Sequence, residues 1–161
     1  MLHSSNEKDV IASYKLKKEI NRHYRQFCFT LESYASQSYP QSMDHVISTA
    51  QFYLLFLTKA LLKYDDHILV SGIDTILERI QDESHKLIIV LFELPMSSVK
   101  GKRSLNLLQY QLENAIDTSQ PDFKKGNNSK EYEWEKIADQ VYEKLNIDSA
   151  TTISLSPSPG K

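Results

Sequence analysis

The hydrophobic pattern of the first forty residues indicates one long amphipathic helix. Apolar and aromatic positions recur at alternating intervals of four and three residues, which is the seam of a helix packed along one side. Pro40 ends the pattern and biases Tyr39 away from helical backbone angles. We therefore predict a helix over residues 6–38. Its seam residues are Ile20, Tyr24, Phe27, Leu31 and Tyr34.

The second apolar segment, residues 43–64, would as a helix be apolar nearly all round, and Ser42 stands before it as an N-cap residue. A helix that is apolar nearly all round is buried on every side. The pattern therefore predicts a helix at the centre of a bundle.

The stretch HKLIIVLFELP, residues 85–95, fits two different structures. Residues 87–92 alone are typical of a buried strand, and with a second strand at 67–70 they would form a short β-α-β unit. Together with the residues before them, however, the apolar positions keep a helical phase as far as Pro95. We therefore predict a helix over residues 71–94 and keep the β-α-β unit at 67–94 as the alternative. The positions in phase are Ile73, Leu77, Ile80, Ser84, Leu87, Leu91 and Leu94.

Two further helices and a tail complete the predicted chain. Ser104 caps a helix that runs to about residue 118, and residues 130–145 carry an apolar stripe on one face. Residues 148–161 are rich in Ser, Thr and Pro, which is typical of a disordered tail. The predicted fold class is all-α, an antiparallel bundle of about five helices in a single domain, residues 1–147. The stripe of the last helix contains Trp134, Ile137, Ala138, Val141, Tyr142 and Leu145.

Composition narrows the class of protein. The chain has 161 residues, a net charge of −2 and one cysteine, Cys28, so neither internal disulfides nor a cysteine-based zinc site is expected. The amino terminus lacks a secretory signal, and we find no apolar run long enough to span a membrane. These features predict an intracellular protein, cytoplasmic or nuclear, without a cofactor or a bound metal.

Basic residues line one face of the first predicted helix. They lie opposite the aromatic seam, and a second basic group follows Pro95 in the stretch SSVKGKRS. Such a face is either an ordinary solvated surface or a surface that binds phosphate groups. It supports one alternative function, a nucleic-acid-associated factor. The residues are Lys15, Lys18, Arg22 and Arg25 on the helix, and Lys100, Lys102 and Arg103 in the loop.

The aromatic residues of the first helix predict a protein interface. Aromatic side chains dominate the buried centres of interfaces, and Phe29 stands on the outer face where a polar residue is expected. We therefore expect a non-enzymatic interaction or adaptor subunit of an intracellular complex, with a different protein or a second copy as partner. The predicted contact residues are Tyr24, Phe27, Phe29, Leu31 and Tyr34.

Two short motifs add further hypotheses. Five residues separate Arg79 from His85. The pair resembles the Arg-x(4–6)-His signature of the all-helical HEPN ribonucleases, although Ile80 replaces the usual polar residue. That resemblance implies an RNase as the second alternative, with His85 as base and Arg79 holding the scissile phosphate. In the tail, Ser156 and Ser158 each precede a proline and are candidate sites for proline-directed phosphorylation.

Overall fold

In the computed structural model, the described residues are 2–4, 6–23, 32–34, 48–62, 66–81, 86–99, 108–126 and 130–155. Strands and helices alternate along these residues, the order typical of an α/β fold. The elements are β1 (Leu2–Ser4), α1 (Glu7–His23), β2 (Glu32–Tyr34), β3 (Phe52–Leu57), α2 (Lys59–Leu62), α3 (Asp66–Ile80), β4 (Lys86–Leu91), α4 (Gln109–Glu113), β5 (Ile116–Asp117) and α5 (Trp134–Leu155), with 3-10 turns at Met96–Ser98 and Pro121–Phe123.

The five strands form one parallel sheet in the order β2-β1-β3-β4-β5. β3 and β4 are the longest strands and pair in register along their whole length, from Phe52 beside Lys86 to Leu57 beside Leu91. The order reverses after β2, because the chain returns past β1 to place β3 on its other side. This reversal defines a topological switch point between the carboxyl ends of β1 and β3.

Helices cover both faces of the sheet. On one face, Leu55 of β3 and Ile89 of β4 pack with apolar residues of α2, α3 and α4. On the other face, Leu54 and Val90 pack with α1 and α5. Neighbouring residues of the central strands therefore belong to two separate hydrophobic clusters, and both strands are buried on both sides.

The prediction of an all-α bundle is wrong, and its α/β alternative has the correct fold class. Residues 86–91 form a strand, whereas the helical phase that seemed to reach Pro95 ends with α3 at Ile80. A strand buried on both faces has apolar residues at consecutive positions. Some of these positions therefore also match the helical period of the segment before the strand. The same reason explains β3, which lies within the segment predicted as a central helix.

Other predicted boundaries also change. The first helix ends at His23, and residues 32–34 form β2, so one helix over residues 6–38 is wrong. Residues 67–70, the other strand of the predicted β-α-β unit, lie within α3; the strand that precedes β4 is β3 instead. The helix predicted from Ser104 to about residue 118 begins outside the described residues; its described part contains α4 and then β5, so a helix as far as residue 118 is wrong.

The last predicted helix is present, but it begins at Trp134 rather than at residue 130. Four of the six residues of its predicted stripe are buried, and Trp134 and Tyr142 are partly buried. Ile137, Ala138, Val141 and Leu145 are fully buried against the sheet. α5 continues to Leu155, so the predicted start of the tail at residue 148 falls inside this helix. No helix in the part of the chain that the structure describes is long and apolar enough to cross a membrane.

Candidate functional site at the carboxyl edge of the sheet

A buried polar cluster joins the strands at the switch point. Asp9 lies in the first turns of α1 and is only 5% exposed. One of its carboxylate oxygens accepts hydrogen bonds from the Ser4 and Thr58 hydroxyls, each at 2.5 Å. Ser4 ends β1 and Thr58 directly follows β3, so this carboxylate links the two strand ends. Hydrogen bonding compensates the burial of these polar groups.

Local capping sets the position of α1 at this edge. The Asn6 side chain accepts a hydrogen bond from the Lys8 backbone N–H at 3.1 Å, as an N-cap residue does. Thr58 similarly accepts a hydrogen bond from the Leu61 N–H at the start of α2. Both helices therefore begin at the carboxyl edge, close to the buried Asp9.

Beside this cluster lies an open groove of about 510 Å³. We call it the carboxyl-edge groove: it is bounded by Lys8, Lys15 and Lys18 of α1, by Phe92 and Glu93 at the end of β4, and by Lys130, Tyr132 and Trp134 at the start of α5. Its volume is within the range of about 300–1,000 Å³ found for small-molecule sites. Its position matches the general rule that open parallel sheets bind ligands outside the carboxyl ends of their strands.

Aromatic rings form one wall of the groove. Phe92 is buried and stacks on Phe56 of the core, with ring centres 5.1 Å apart. Tyr132 and Trp134 pack on Phe92 at 5.1 and 5.8 Å, and both are only partly buried. The core thus holds two partly exposed rings in place at the surface, where a planar ligand would reach them.

Glu93 is the most unusual residue of the groove. Its φ is +49°, a left-handed backbone angle that a non-glycine residue seldom adopts. Its carboxylate forms an ion pair with Lys8 and accepts a hydrogen bond of 3.4 Å from the Tyr132 hydroxyl. Backbone strain of this kind is concentrated at functional sites.

The surroundings of Tyr132 shift its titration. Burial of the ring, the negative charge of Glu93 and the hydrogen bond to Glu93 raise the pKa of Tyr132 to about 12. All three disfavour the phenolate, so the hydroxyl stays protonated as a hydrogen-bond donor in the neutral pH range.

The charge of the groove is predominantly positive. Lys8 is paired with Glu93, and Lys125 lies 4.0 Å from Glu131. Among the described residues, Lys15, Lys18 and Lys130 have no acidic partner within ion-pair distance. Glu19 also lines the groove, but it forms an ion pair with His23. Three lysines outside ion-pair distance of a described acid, next to partly exposed aromatic rings, favour an anionic ligand with a planar part.

The structure brings together some of the predicted basic residues. Lys15 and Lys18 border the groove, and Arg22 is exposed further along α1. The other predicted basic residues lie outside the described residues: Arg25, Lys100, Lys102 and Arg103.

Of the residues of the predicted aromatic interface, the structure describes only Tyr34. Tyr34 lies in β2, so it does not continue a helical seam from α1. The remaining predicted contact residues lie outside the described part of the chain: Tyr24, Phe27, Phe29 and Leu31.

The parallel sheet contradicts the all-helical fold that the HEPN resemblance implies. Arg79 is partly buried, and its Nε donates a hydrogen bond of 2.9 Å to the Tyr53 hydroxyl. His85, Ser156 and Ser158 lie outside the described residues. Within those ranges, no group of three or more His, Cys, Asp or Glu side chains is arranged to hold a metal ion.

Sequence reasoning missed Asp9, Thr58, Glu93, Tyr132 and Lys130 as site residues. Two of the five have a signal in their position, because Thr58 and Glu93 follow closely on the two apolar runs FYLLFL and KLIIVL. If those runs are taken as parallel strands, the polar residues after them fall at the carboxyl edge, where ligands bind.

Comparison of the chain with protein-family models, with curated proteins and with solved structures finds no match. The functional proposals for this protein therefore rest on its own residues.

Proposed function

We propose that this protein is a non-enzymatic binding module that holds a ligand of the nucleotide class in the carboxyl-edge groove. One observation carries the proposal: two lysines of the basic face, Lys15 and Lys18, border the same groove as the rings of Tyr132 and Trp134. The ligand class is defined by a planar base joined to phosphate.

Each part of such a ligand has a counterpart in the groove. The ammonium groups of Lys15, Lys18 and Lys130 attract phosphate, and this attraction weakens as salt concentration rises. An exposed aromatic face contributes about 1–3 kcal/mol per stacked base. The groove volume of about 510 Å³ suits a ligand of the size of one nucleotide.

The same chemistry is offered by a free nucleotide and by one unit of a single-stranded nucleic acid. A strand would follow the positive charge along α1 beyond the groove, toward Arg22, whereas a free nucleotide would contact the groove alone. Adenosine triphosphate and a single-stranded oligonucleotide of about eight nucleotides therefore separate the two sources.

The experiment uses Trp134, which is the only tryptophan of the chain and borders the groove. We expect each ligand that binds to change the fluorescence of Trp134 in a saturable way. Lys18→Gln and Lys130→Gln should each weaken binding by about three- to tenfold, because each removes one phosphate contact. Arg22→Gln should weaken binding of the oligonucleotide alone.

Lys136→Gln is the matched control, because Lys136 is exposed on α5 and does not border the groove. It removes the same charge and should leave the affinity within about twofold of the unchanged protein. Absence of a fluorescence change with both ligands, or equal weakening by the Lys136 variant, would contradict the proposal. Chemical conversion of the bound ligand by the protein would contradict the proposal that this binding module is not an enzyme.

A second candidate is an adaptor subunit that binds a protein partner in the cytoplasm or the nucleus. Ile11 and Tyr14 on α1 favour it, because both are about half exposed, at 49% and 54%, beside the lysines of the groove. Affinity purification of the intact complex from its native cells, followed by mass determination, tests this candidate. We expect the double variant Ile11→Ser, Tyr14→Ser to lose the partner that the unchanged protein retains. Recovery of both the unchanged protein and the variant as monomers without a partner would contradict this candidate.

A further inference from the structure

Two hydrogen-bond donors of the carboxyl-edge groove meet at one carboxylate. The Lys8 ammonium contacts Oε2 of Glu93, and the Tyr132 hydroxyl donates to Oε1 of the same side chain at 3.4 Å. Each carboxylate oxygen therefore accepts from one donor, and all three side chains line the groove. A positive charge and a hydroxyl that converge in this way form an anion-binding position. Its occupant is an anion of the protein's own chain.

Both donors keep their donating form in the neutral pH range. An ammonium group has three N–H donors and no acceptor. Burial and the neighbouring Glu93 raise the pKa of Tyr132 to about 12, so its hydroxyl stays protonated. Any anion in this position therefore meets one positive charge and one neutral donor.

The contact between Lys8 and Glu93 is accessible to a ligand. The Lys8 side chain is 65% exposed and the Glu93 side chain is 41% exposed. Exposed ion pairs are weak, because water screens both charges. A terminal phosphate carries about two negative charges and, like a carboxylate, presents several acceptor oxygens on one atom. A phosphate that is held in the groove by further contacts can therefore displace the Glu93 carboxylate.

The other lysines of α1 supply such further contacts. Lys8, Lys15 and Lys18 all line the groove, and Lys8 lies about 10 Å from Lys15 along the helix axis. Among the residues that the structure describes, Lys15 and Lys18 have no acid within ion-pair distance. A first phosphate can bind there without breaking a contact, and a phosphate chain that continues toward the start of α1 reaches Lys8.

We propose that Lys8 and Tyr132 form a second phosphate position, which Glu93 occupies until the terminal phosphate of a nucleoside diphosphate or triphosphate displaces it. This inference rests on the proposed function and narrows its ligand class to nucleotides with two or more phosphates. A nucleoside monophosphate fills only the position at Lys15 and Lys18 and leaves the contact between Lys8 and Glu93 intact. Glu93 therefore competes with the longer ligand alone.

The test compares adenosine triphosphate with adenosine monophosphate through the fluorescence of Trp134. Lys8→Gln should weaken binding of the triphosphate by about three- to tenfold, because it removes one phosphate contact, and should change binding of the monophosphate by less than about twofold. Glu93→Gln should strengthen binding of the triphosphate by about three- to fivefold, because the competing carboxylate is removed. In the Lys8→Gln protein this gain should fall below about twofold, since Lys8 and Glu93 act on the same phosphate.

Glu131→Gln is the matched control, because it removes the same charge from the lining of the groove without touching Lys8. Glu131 lies 4.0 Å from Lys125, and its side chain is 76% exposed. Screening by water should limit its effect on triphosphate binding to less than about twofold.

Three results would overturn this inference while the proposed function stands: equal gains from Glu93→Gln and Glu131→Gln, a gain from Glu93→Gln that persists in the Lys8→Gln protein, or equal weakening of both nucleotides by Lys8→Gln. Absence of binding of both nucleotides would overturn this inference together with the proposed nucleotide site.

Discussion

At the scale of single residues, Glu93 connects the geometry of the sheet with the chemistry of the groove. Its left-handed backbone follows directly on the end of β4, and its carboxylate contacts both Lys8 and Tyr132. Lys8 belongs to the first turn of α1, so a single side chain joins the first helix to the centre of the sheet. An anionic ligand that contacts Lys8 would have to compete with this carboxylate.

The titration of Tyr132 tests the position of Glu93. Glu93→Gln should lower the pKa of Tyr132 from about 12, because the negative charge that disfavours the phenolate is removed. The pKa should stay above the ordinary value of 10.0, because burial, the largest cause, remains. Tyrosinate absorbance against pH measures it, with Tyr132→Phe identifying the contribution of this ring among the nine tyrosines.

The sign of the stability change follows from the same shift. The folded protein holds the Tyr132 proton more tightly than the unfolded chain, so this contribution to stability is complete below pH 10 and is lost as pH rises toward 12. Glu113→Gln is the control, since Glu113 is exposed on α4 and does not contact Tyr132. An unchanged Tyr132 titration in the Glu93 variant would show that the two groups do not interact.

Sequence reasoning could identify residues that share one element, but not residues brought together by the fold. Lys15 and Lys18 were found because helical spacing places them on one exposed face. The contacts of Lys8 with Glu93, 85 positions later, and of Asp9 with Thr58, 49 positions later, depend on strand order. The order of strands in a sheet cannot be read from local periodicity, so these contacts were not predictable without the topology.

At the scale of elements, β3 and β4 show why the helical interpretation was attractive. Both faces of each strand are covered, so the alternation that identifies a half-exposed strand is absent from their sequences. In β4 the β-branched residues Ile88, Ile89 and Val90 were the remaining signal for a strand, whereas β3 contains no β-branched residue. α5 was predicted correctly on its apolar face because its opposite face is polar and exposed, which preserves the helical period.

Substitutions in β4 test burial on both faces. Ile89→Ala should lower the free energy of unfolding by about 2–4 kcal/mol and Val90→Ala by about 1–3 kcal/mol, because each leaves a cavity in a different cluster. Denaturant unfolding measures both values. Lys136→Ala, at an exposed site, should change the free energy by less than about 0.5 kcal/mol. A negligible effect at either Ile89 or Val90 would mean that one face of β4 is not buried.

At the scale of the whole molecule, strand order explains where the functional features lie. The reversal between β2 and β3 brings the carboxyl ends of β1 and β3 together, with Asp9 buried between them. The carboxyl-edge groove opens beside this point. The position of the proposed nucleotide site therefore follows from the order of the strands.

The most direct test of the account is an NMR titration of the full chain with adenosine triphosphate, followed through the assigned backbone amides. The account predicts that saturable shifts concentrate at the carboxyl edge, at Thr58, Glu93 and Tyr132, while Gln51 and Lys86 at the opposite edge stay unchanged. Saturable shifts that concentrate at Gln51 and Lys86 and spare the carboxyl edge would contradict it.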